Sequence, residues 1–125
     1  MREVVIQATH QAGELARIAN ALSLKGVNIK SIAALAIGHQ GLVRIIPDDI
    51  EATRRGLEDA NIRFEEKEVV TVLLENKAGE LTGLAAKIAD AGINLDAAYV
   101  VGLAGDMVEL ALAVNDVKKA KKLLE

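Results

Sequence analysis

A four-residue motif, AGEL, occurs twice in the sequence and has the residue types to bind an anion. It occupies residues 12 to 15 and again residues 78 to 81. The pattern predicts a strand before each copy and a helix that starts within it. At a helix start the backbone N–H groups lack helical partners, and this end of the helix is partly positive. Because glycine lets an anionic group approach the backbone closely, each copy predicts a site for a carboxylate or a phosphate.

A second motif, glycine-x-asparagine, follows each AGEL copy one helix length later. Gly26 and Asn28 form the first example, and Gly92 and Asn94 form the second. An asparagine side chain offers both a carbonyl acceptor and an amide donor. Since the chain returns after the helix, we expect this motif to adjoin the AGEL junction and to complement, with the helix N–H groups, the carboxylate and ammonium of an α-amino acid. The alternative is that both motifs only mark helix ends.

The two pairs of motifs belong to a longer internal repeat. A shift of about 66 residues superposes them and also places Val4 on Val70 and Ile18 on Leu84. From Pro47 onward the shift is about 67, so we expect one extra residue in a turn of the second half. A fixed period of this kind indicates duplication. It predicts two domains, residues 1 to 67 and residues 68 to 125.

Both halves predict the same series of elements. Short β-branched runs predict strands, apolar residues at helical spacing predict helices that end at glycine, and a glycine-containing turn predicts a hairpin. The predicted strands are 3–8, 28–37, 42–46, 62–66, 69–75, 94–103 and 107–114, and the predicted helices are 12–25, 49–59, 78–91 and 116–124. The fold class is α+β, with two tandem ferredoxin-like βαββαβ domains, the second of which lacks its last strand.

The strand that follows the first helix of each half is apolar on both faces. In the first half we expect Ile29, Leu35 and Ile37 to face the helices. The opposite face is apolar as well, and its residues in the two halves are Ile32, Ala34, Ala36, Ala98, Val100, Ala111 and Ala113. A solvated sheet face would carry polar residues in alternation. We therefore expect another sheet to cover this face, which predicts a homo-oligomer, most simply a dimer. The alternative is an alanine-rich face in contact with solvent.

The composition argues against several classes of function. A net charge of -3 and an aromatic content of 2% disfavour nucleic acid as a partner, and there is no cysteine. The only histidines, His10 and His39, lie in different predicted loops, and no metal-ligand spacing is present, so we predict no catalytic residue, no metal and no cofactor. We also expect no membrane segment and no signal peptide, hence a cytoplasmic protein.

Around the two motifs the sequence resembles the ACT domains. The stretch NKAGELTGLAAKIADAGINL is similar to the family pattern of Asn-x-Pro-Gly-x-Leu, a helix and Gly-x-Asn-Ile, and HQAGELARIANALSLKGVNI resembles it too. The likeness covers nearly the whole chain as two tandem domains. It implies a regulatory module that binds a small molecule, most often an amino acid, at the interface between paired ACT domains.

The resemblance also implies which residues contact the ligand. By position these would be Asn76, Gly79, Leu81 and Asn94 in the second half, and His10, Gly13, Leu15 and Asn28 in the first. With their neighbours, the predicted binding residues are His10, Gln11, Ala12, Gly13, Glu14, Leu15, Asn28, Ile29, Asn76, Lys77, Ala78, Gly79, Glu80, Leu81, Asn94 and Leu95. Two departures from the family pattern stand out. Alanine replaces the usual proline in both copies, and His10 replaces asparagine, so the two sites need not bind alike.

The sequence leads to one expected function and one alternative. We expect a protein that binds an amino acid or a related small metabolite and controls an enzyme or pathway of amino-acid metabolism. The alternative is an oligomerisation or interaction module, a regulatory subunit whose exposed sheet face docks onto a partner enzyme and whose loops bind no ligand.

Overall fold

The computed structural model describes residues 1 to 125, and the chain divides into two compact units. One unit comprises Arg2–Lys67 and contains the first copy of the duplicated sequence; we refer to it as repeat one. The other comprises Met1 and Glu68–Glu125, contains the second copy and is called repeat two.

Repeat one is a four-stranded sheet with two helices packed against one face. Its elements, in chain order, are β1 (Arg2–Thr9), α1 (Glu14–Ser23), β2 (Ile29–Ile37), β3 (Gln40–Pro47), α2 (Ile50–Asp59) and β4 (Glu65–Glu68). The strands lie in the order β2-β3-β1-β4, with β2 at one edge. Apolar side chains of β1, β3, α1 and α2 form the core, which includes Val4, Ile6, Ile18, Leu22, Ile45 and Leu57.

Repeat two repeats this arrangement with one strand fewer. Its elements are β5 (Val70–Glu75), α3 (Glu80–Asp90), β6 (Leu95–Ala104), β7 (Met107–Val114) and α4 (Val117–Leu124). The strand order is β5-β7-β6, with β6 at the edge that β2 occupies in repeat one. The α+β class, the tandem ferredoxin-like order and the missing last strand of the second copy are therefore confirmed. No helix in either repeat combines the length and apolar character needed to cross a membrane.

A β-bulge between Ile29 and Ser31 reverses the faces predicted for the rest of β2. Beyond it, Ala34 pairs with Val43, a core residue on the helix side of the sheet. A bulge shifts the two-residue alternation of a strand by one position, and so exchanges its faces. The predicted faces were therefore wrong for Leu35 and Ile37, which lie opposite the helices, and for Ile32, Ala34 and Ala36, which lie on the helix side.

The same error affects β6 in repeat two. Ala98 pairs with Leu112 and Val100 with Leu110, and both partners pack in the core beneath the helices. Ala98 and Val100 were therefore assigned to the wrong face. Ala111 and Ala113 of β7 lie on the face opposite the helices, as expected, and are buried.

The extra residue of the second half lies in a strand rather than in a turn. Both hairpins have a two-residue turn that begins with a glycine of positive φ, Gly38 at 61° and Gly105 at 58°. A bulge interrupts the register of β6 between Val100 and Gly102, so Val101 is the insertion. A strand accommodates one added residue in this way while the turn keeps its length.

Candidate functional site

Both AGEL motifs end in a helix whose first turn has no side-chain cap. Gly13 and Gly79 are the N-cap residues of α1 and α3, both left-handed with φ of 91°, and neither helix has a capping side chain. By contrast, the carboxylates of Asp49 and Asp116 cap α2 and α4 by accepting a hydrogen bond from the first turn. The N–H groups of Glu14 and Glu80 donate weakly to the carbonyls of Gln11 and Lys77, over 3.3 and 3.4 Å, but no side chain occupies the N-terminal ends of α1 and α3. These ends thus remain open to an anion. The two helices begin two residues later than predicted because each glycine lies outside the helix.

In repeat one, hydrogen bonds fix the side chain that opens α1. The hydroxyl of Thr9 donates to Glu14 Oε1 over 3.2 Å, and Arg17 donates to Glu14 Oε2 through Nε at 3.2 Å and Nη2 at 3.0 Å. One carboxylate therefore joins the end of β1 to the first turn of α1.

The loop before each of these helices is attached to the neighbouring hairpin turn. The backbone N–H of His10 donates to the carbonyl of His39 over 2.7 Å, and in repeat two the N–H of Asn76 donates to the carbonyl of Asp106 over 2.6 Å. The two histidines thus lie at one end of the repeat-one sheet. The structure contains no group of three or more His, Cys, Asp or Glu side chains arranged to hold a metal ion.

A cavity of about 250 Å³ opens beside the AGEL loop of repeat one. Four of the predicted binding residues, His10, Gln11, Glu14 and Leu15, line it. Ala12 and Gly13 lie between them in the same loop. The remaining lining residues are Ala8, Thr9, Ala34, Leu35, Ala36, Gly41 and Val43. We call this space the repeat-one cavity.

Asn28 and Ile29 lie at the opposite end of the sheet from the repeat-one cavity. Ile29 pairs with Pro47, whereas Ala36 of the cavity pairs with Gly41. At about 3.3 Å per residue, this separation along β2 is roughly 20 Å. The expectation that the two motifs of one repeat adjoin was wrong, because the chain enters β2 near the C-terminal end of α1 and the AGEL loop lies at the other end.

Repeat two separates its predicted residues in the same way. Asn76, Lys77, Ala78, Gly79, Glu80 and Leu81 form the loop and first turn before α3. Asn94 and Leu95 lie at the far end, where the N–H of Asn94 donates to the side chain of Asn115 over 3.0 Å and Leu95 pairs with Val114. Neither asparagine of the Gly-x-Asn motifs can therefore reach the loop of its own repeat.

A larger cavity, of about 990 Å³, lies beside β4 of repeat one and contains none of the predicted residues. Arg44, Arg63 and Lys67 line it, and two of them, Arg44 and Lys67, have a carboxylate partner. Arg44 pairs with Glu3 over 2.5 Å, and Lys67 pairs with Glu65 over 3.7 Å. The charges of these two residues are thus balanced within the protein.

The small residues on the floor of the repeat-one cavity were not predicted. Ala34 and Ala36 were assigned to the wrong face of β2, and Ala8 and Gly41 were not among the predicted binding residues. The signal available in the sequence was the run of small residues in SIAALAIG, at 31 to 38. A strand with so few large side chains leaves space above the sheet.

No protein-family model matches the chain, and no characterised protein sequence matches it. Solved structures do. A Bacteroides thetaiotaomicron protein superposes with a TM-score of 0.87 over 98% of this chain and 85% of its own, at 16% identity. The ligand-free regulatory subunit of aspartate kinase from Thermus thermophilus superposes with a TM-score of 0.62 over 99% of this chain and 92% of its own, at 14% identity.

A third similar structure is E. coli aspartokinase III in complex with lysine and aspartate. The TM-score is 0.57 at 14% identity, over 98% of this chain and 29% of the aspartokinase chain. At such identities the likeness concerns the fold. The chain has the tandem ACT-like fold, which confirms the fold that the resemblance of the motifs implied.

Proposed function

We propose that the protein is a regulatory module without catalytic activity that binds an amino acid or a related small metabolite. The bound ligand would control an enzyme or pathway of amino-acid metabolism. One observation carries this proposal: the repeat-one cavity adjoins the uncapped first turn of α1. Backbone donors at a helix start beside a concave, partly open space suit a small carboxylate ligand.

The lining of the cavity offers partners for both charged groups of an α-amino acid. The N–H groups of the first turn of α1 would receive the carboxylate. The Glu14 carboxylate, although it accepts from Thr9 and Arg17, retains lone pairs for the ligand ammonium. The side chain of the ligand would then lie over the apolar floor that includes Ala34 and Val43.

A second copy of the chain would complete this site. β2 is an edge strand. Two large apolar side chains, Ile32 of β2 and Leu15 of α1, are 43% and 48% exposed. If β2 pairs antiparallel with β2 of a second copy, the beginning of one strand meets the end of the other. Asn28 of one copy then adjoins the AGEL loop of the other, a contact that a single copy cannot make. The proposed homodimer therefore forms the ligand site at its interface.

A ligand at such an interface regulates by linkage. It stabilises the paired arrangement over others, with a coupling free energy of about 1–3 kcal/mol in typical allosteric proteins. Two of the similar structures support a role of this kind: one is a regulatory subunit of aspartate kinase, and the other is an aspartokinase with lysine and aspartate bound.

The test is a thermal-shift screen of the chain against the twenty amino acids and several 2-oxo acids. A ligand at about 100 times its Kd adds roughly 2.7 kcal/mol to the free energy of unfolding, which raises Tm by several degrees in a protein of this size. Asn28→Ala should reduce the shift at least several-fold. Asn94→Ala is the matched control, because Asn94 has the same place in repeat two and is also exposed.

Each outcome of the screen is informative. If no compound in the screen raises the Tm of folded protein, ligand binding is contradicted. A response lost in Asn94→Ala and kept in Asn28→Ala would contradict pairing of β2 with β2, since the asparagine would then come from repeat two.

The second candidate is an interaction module whose loops bind no ligand. The observation that favours it is the exposure of large apolar side chains near the ends of the edge strands, with Ile37 at 76% and Leu103 at 75%. Ile37 and Leu103 would contribute to a protein contact surface if neighbouring apolar side chains extend them into a patch. Three results together would favour this candidate. No ligand raises Tm in the screen, the immobilised chain retains a metabolic enzyme, and the Ile37→Asp variant does not retain it.

A further inference from the structure

Equivalent positions on the helix side of the two sheets carry side chains of different size. In repeat one, Ala8 pairs with Gly41 and Ala34 pairs with Val43, and all four line the repeat-one cavity. The residues in the same register in repeat two are Leu74 opposite Val108 and Val100 opposite Leu110. Each of the four is larger than its counterpart in repeat one.

The bulge at Val101 of β6 adds one more pair of equivalent positions that differ in side-chain size. In repeat one, Ala36 lies opposite Gly41. In repeat two, the inserted Val101 shifts the register so that Leu103 lies opposite Val108. A simple shift of 66 residues would place Gly102 at this position, so the insertion replaces the smallest side chain by a large one. The floor that is open in repeat one is thus covered by leucine and valine in repeat two.

We infer that the duplicated site has diverged: repeat one holds one ligand per chain, a neutral aliphatic amino acid, and large side chains fill the corresponding site of repeat two. This inference rests on the proposed function and deepens it. The register and the side-chain volumes carry it, since the loops and uncapped helices of the two repeats are alike.

The lining of the cavity selects the class of ligand. The floor is apolar, and no lysine or arginine lines the cavity. A ligand with a second carboxylate would therefore bury a charge without a fixed cationic partner, which costs free energy. At about 250 Å³ the open cavity is smaller than the roughly 300–1,000 Å³ of sites for drug-sized ligands, so a single amino acid suits it.

Calorimetric titration of the full chain with leucine, isoleucine, valine, aspartate and glutamate tests the inference. The expected result is one site per chain and at least 10-fold tighter binding of an aliphatic than of an acidic amino acid. Two substitutions introduce the side chains of repeat two, Ala34→Val and Gly41→Val, and each should weaken binding at least 10-fold. A Cβ at Gly41 would lie 3.5 Å from the nearest atom, the carbonyl oxygen of Ala8, which is ordinary contact, so the first atom of the new side chain meets no clash.

The matched controls are Val100→Ala and Leu103→Ala in repeat two. These side chains are 48% and 75% exposed, so the fold should tolerate their loss, and the affinity of the site in repeat one should stay within about two-fold. Circular dichroism and thermal unfolding would verify that all four variants are folded. Because two substitutions probe the same cavity, failure of one variant to fold leaves the other as the test.

The outcomes separate this inference from the proposed function. If no amino acid binds the wild-type chain, the proposed function fails. If amino acids bind at two sites per chain, or if Ala34→Val and Gly41→Val bind normally while Leu103→Ala does not, divergence is overturned and the proposed function stands. Tighter binding of aspartate or glutamate would overturn the assigned ligand class.

Discussion

The two repeats place different chemistry at equivalent positions on the sheet face opposite the helices. In repeat one, Glu3 and Arg44 form an ion pair in which both side chains are buried. In repeat two, Val69 and Ala111 occupy the same positions and are buried as well. The buried positions on this face thus hold a pair of opposite charges in repeat one and a pair of apolar side chains in repeat two. The remaining predictions use one repeat as the reference for the other.

The largest effect should come from breaking the ion pair. Arg44→Ala leaves the fully buried Glu3 carboxylate without its guanidinium, and we expect the free energy of unfolding to fall by about 3–5 kcal/mol. Urea unfolding followed by circular dichroism measures this change. The control is the double variant Glu3→Val with Arg44→Ala, which copies repeat two. It should lose much less, because no buried charge remains. A double variant as unstable as the single variant would show that the charge is not the cause.

A smaller effect on stability should distinguish alanine substitutions at two helical glycines, Gly56 of α2 and Gly83 of α3. In repeat one, α1 packs against α2, and a Cβ at Gly56 would lie 2.7 Å from the carbonyl oxygen of Ala21. We expect Gly56→Ala to cost about 1–3 kcal/mol through overpacking. In repeat two, a Cβ at Gly83 of α3 meets nothing within 4 Å. Gly83→Ala should therefore stabilise the protein by about 0.5–1 kcal/mol, because alanine favours the helix. Urea unfolding of the two variants measures these changes. Equal shifts of the unfolding midpoint in Gly56→Ala and Gly83→Ala would contradict the predicted contrast.

The smallest effect concerns β4, which has no counterpart in repeat two. Arg54 of α2 donates two hydrogen bonds to Glu66 of β4, at 2.5 and 2.7 Å. These hydrogen bonds, together with the charge of Arg54, lower the pKa of the Glu66 carboxyl. The same hydrogen bonds, together with the charge of Glu66, raise the pKa of Arg54. The pair therefore links the stability of repeat one to pH.

A group whose pKa is lowered by folding stabilises the folded state above its unfolded pKa and loses this contribution as the pH falls through the folded value. The Tm of the wild-type chain should be slightly above that of Glu66→Gln at pH 7. The difference should shrink as the pH falls below about 4.3, the usual glutamate pKa, and should disappear below the lowered pKa of Glu66 in the folded state. Glu65→Gln is the control on the same strand. Its contact with Lys67 is 3.7 Å long and exposed, so its substitution should change Tm less. A Glu66→Gln difference that persists unchanged into acid would exclude the ion pair as its source.

Much of the fold followed from local patterns in the sequence. The β-branched runs, the helical spacing of apolar residues and the duplicated glycines predicted the order and type of the elements in both repeats, and the bounds agree within a few residues. For the candidate site, the stretch HQAGEL of repeat one contains four predicted residues that line the cavity, His10, Gln11, Glu14 and Leu15. These features depend on interactions within a few residues of one another, which a single sequence displays directly.

The faces of β2 and β6 and the floor of the cavity could not be predicted in this way. Both strands are apolar on both sides, so the composition does not show which residues face the helices. One bulge in β2 and two in β6 changed which residues meet the helices. The location of Asn28 was missed for a related reason. The motif order along the chain says nothing about which end of the sheet a strand starts from, and only the antiparallel register places it far from the AGEL loop.

The sequence alone determined that the protein is a duplication, that a glycine lies near the start of the first helix of each copy, and that the core is aliphatic. Tertiary structure alone decided that repeat one has an open cavity and repeat two carries larger side chains at the same place. The physical reason is that the space above the sheet depends on which side chains the antiparallel register brings together, and these residues are far apart in the sequence. Local sequence similarity, which hardly changes with one insertion, therefore conceals a difference in the space above the sheet.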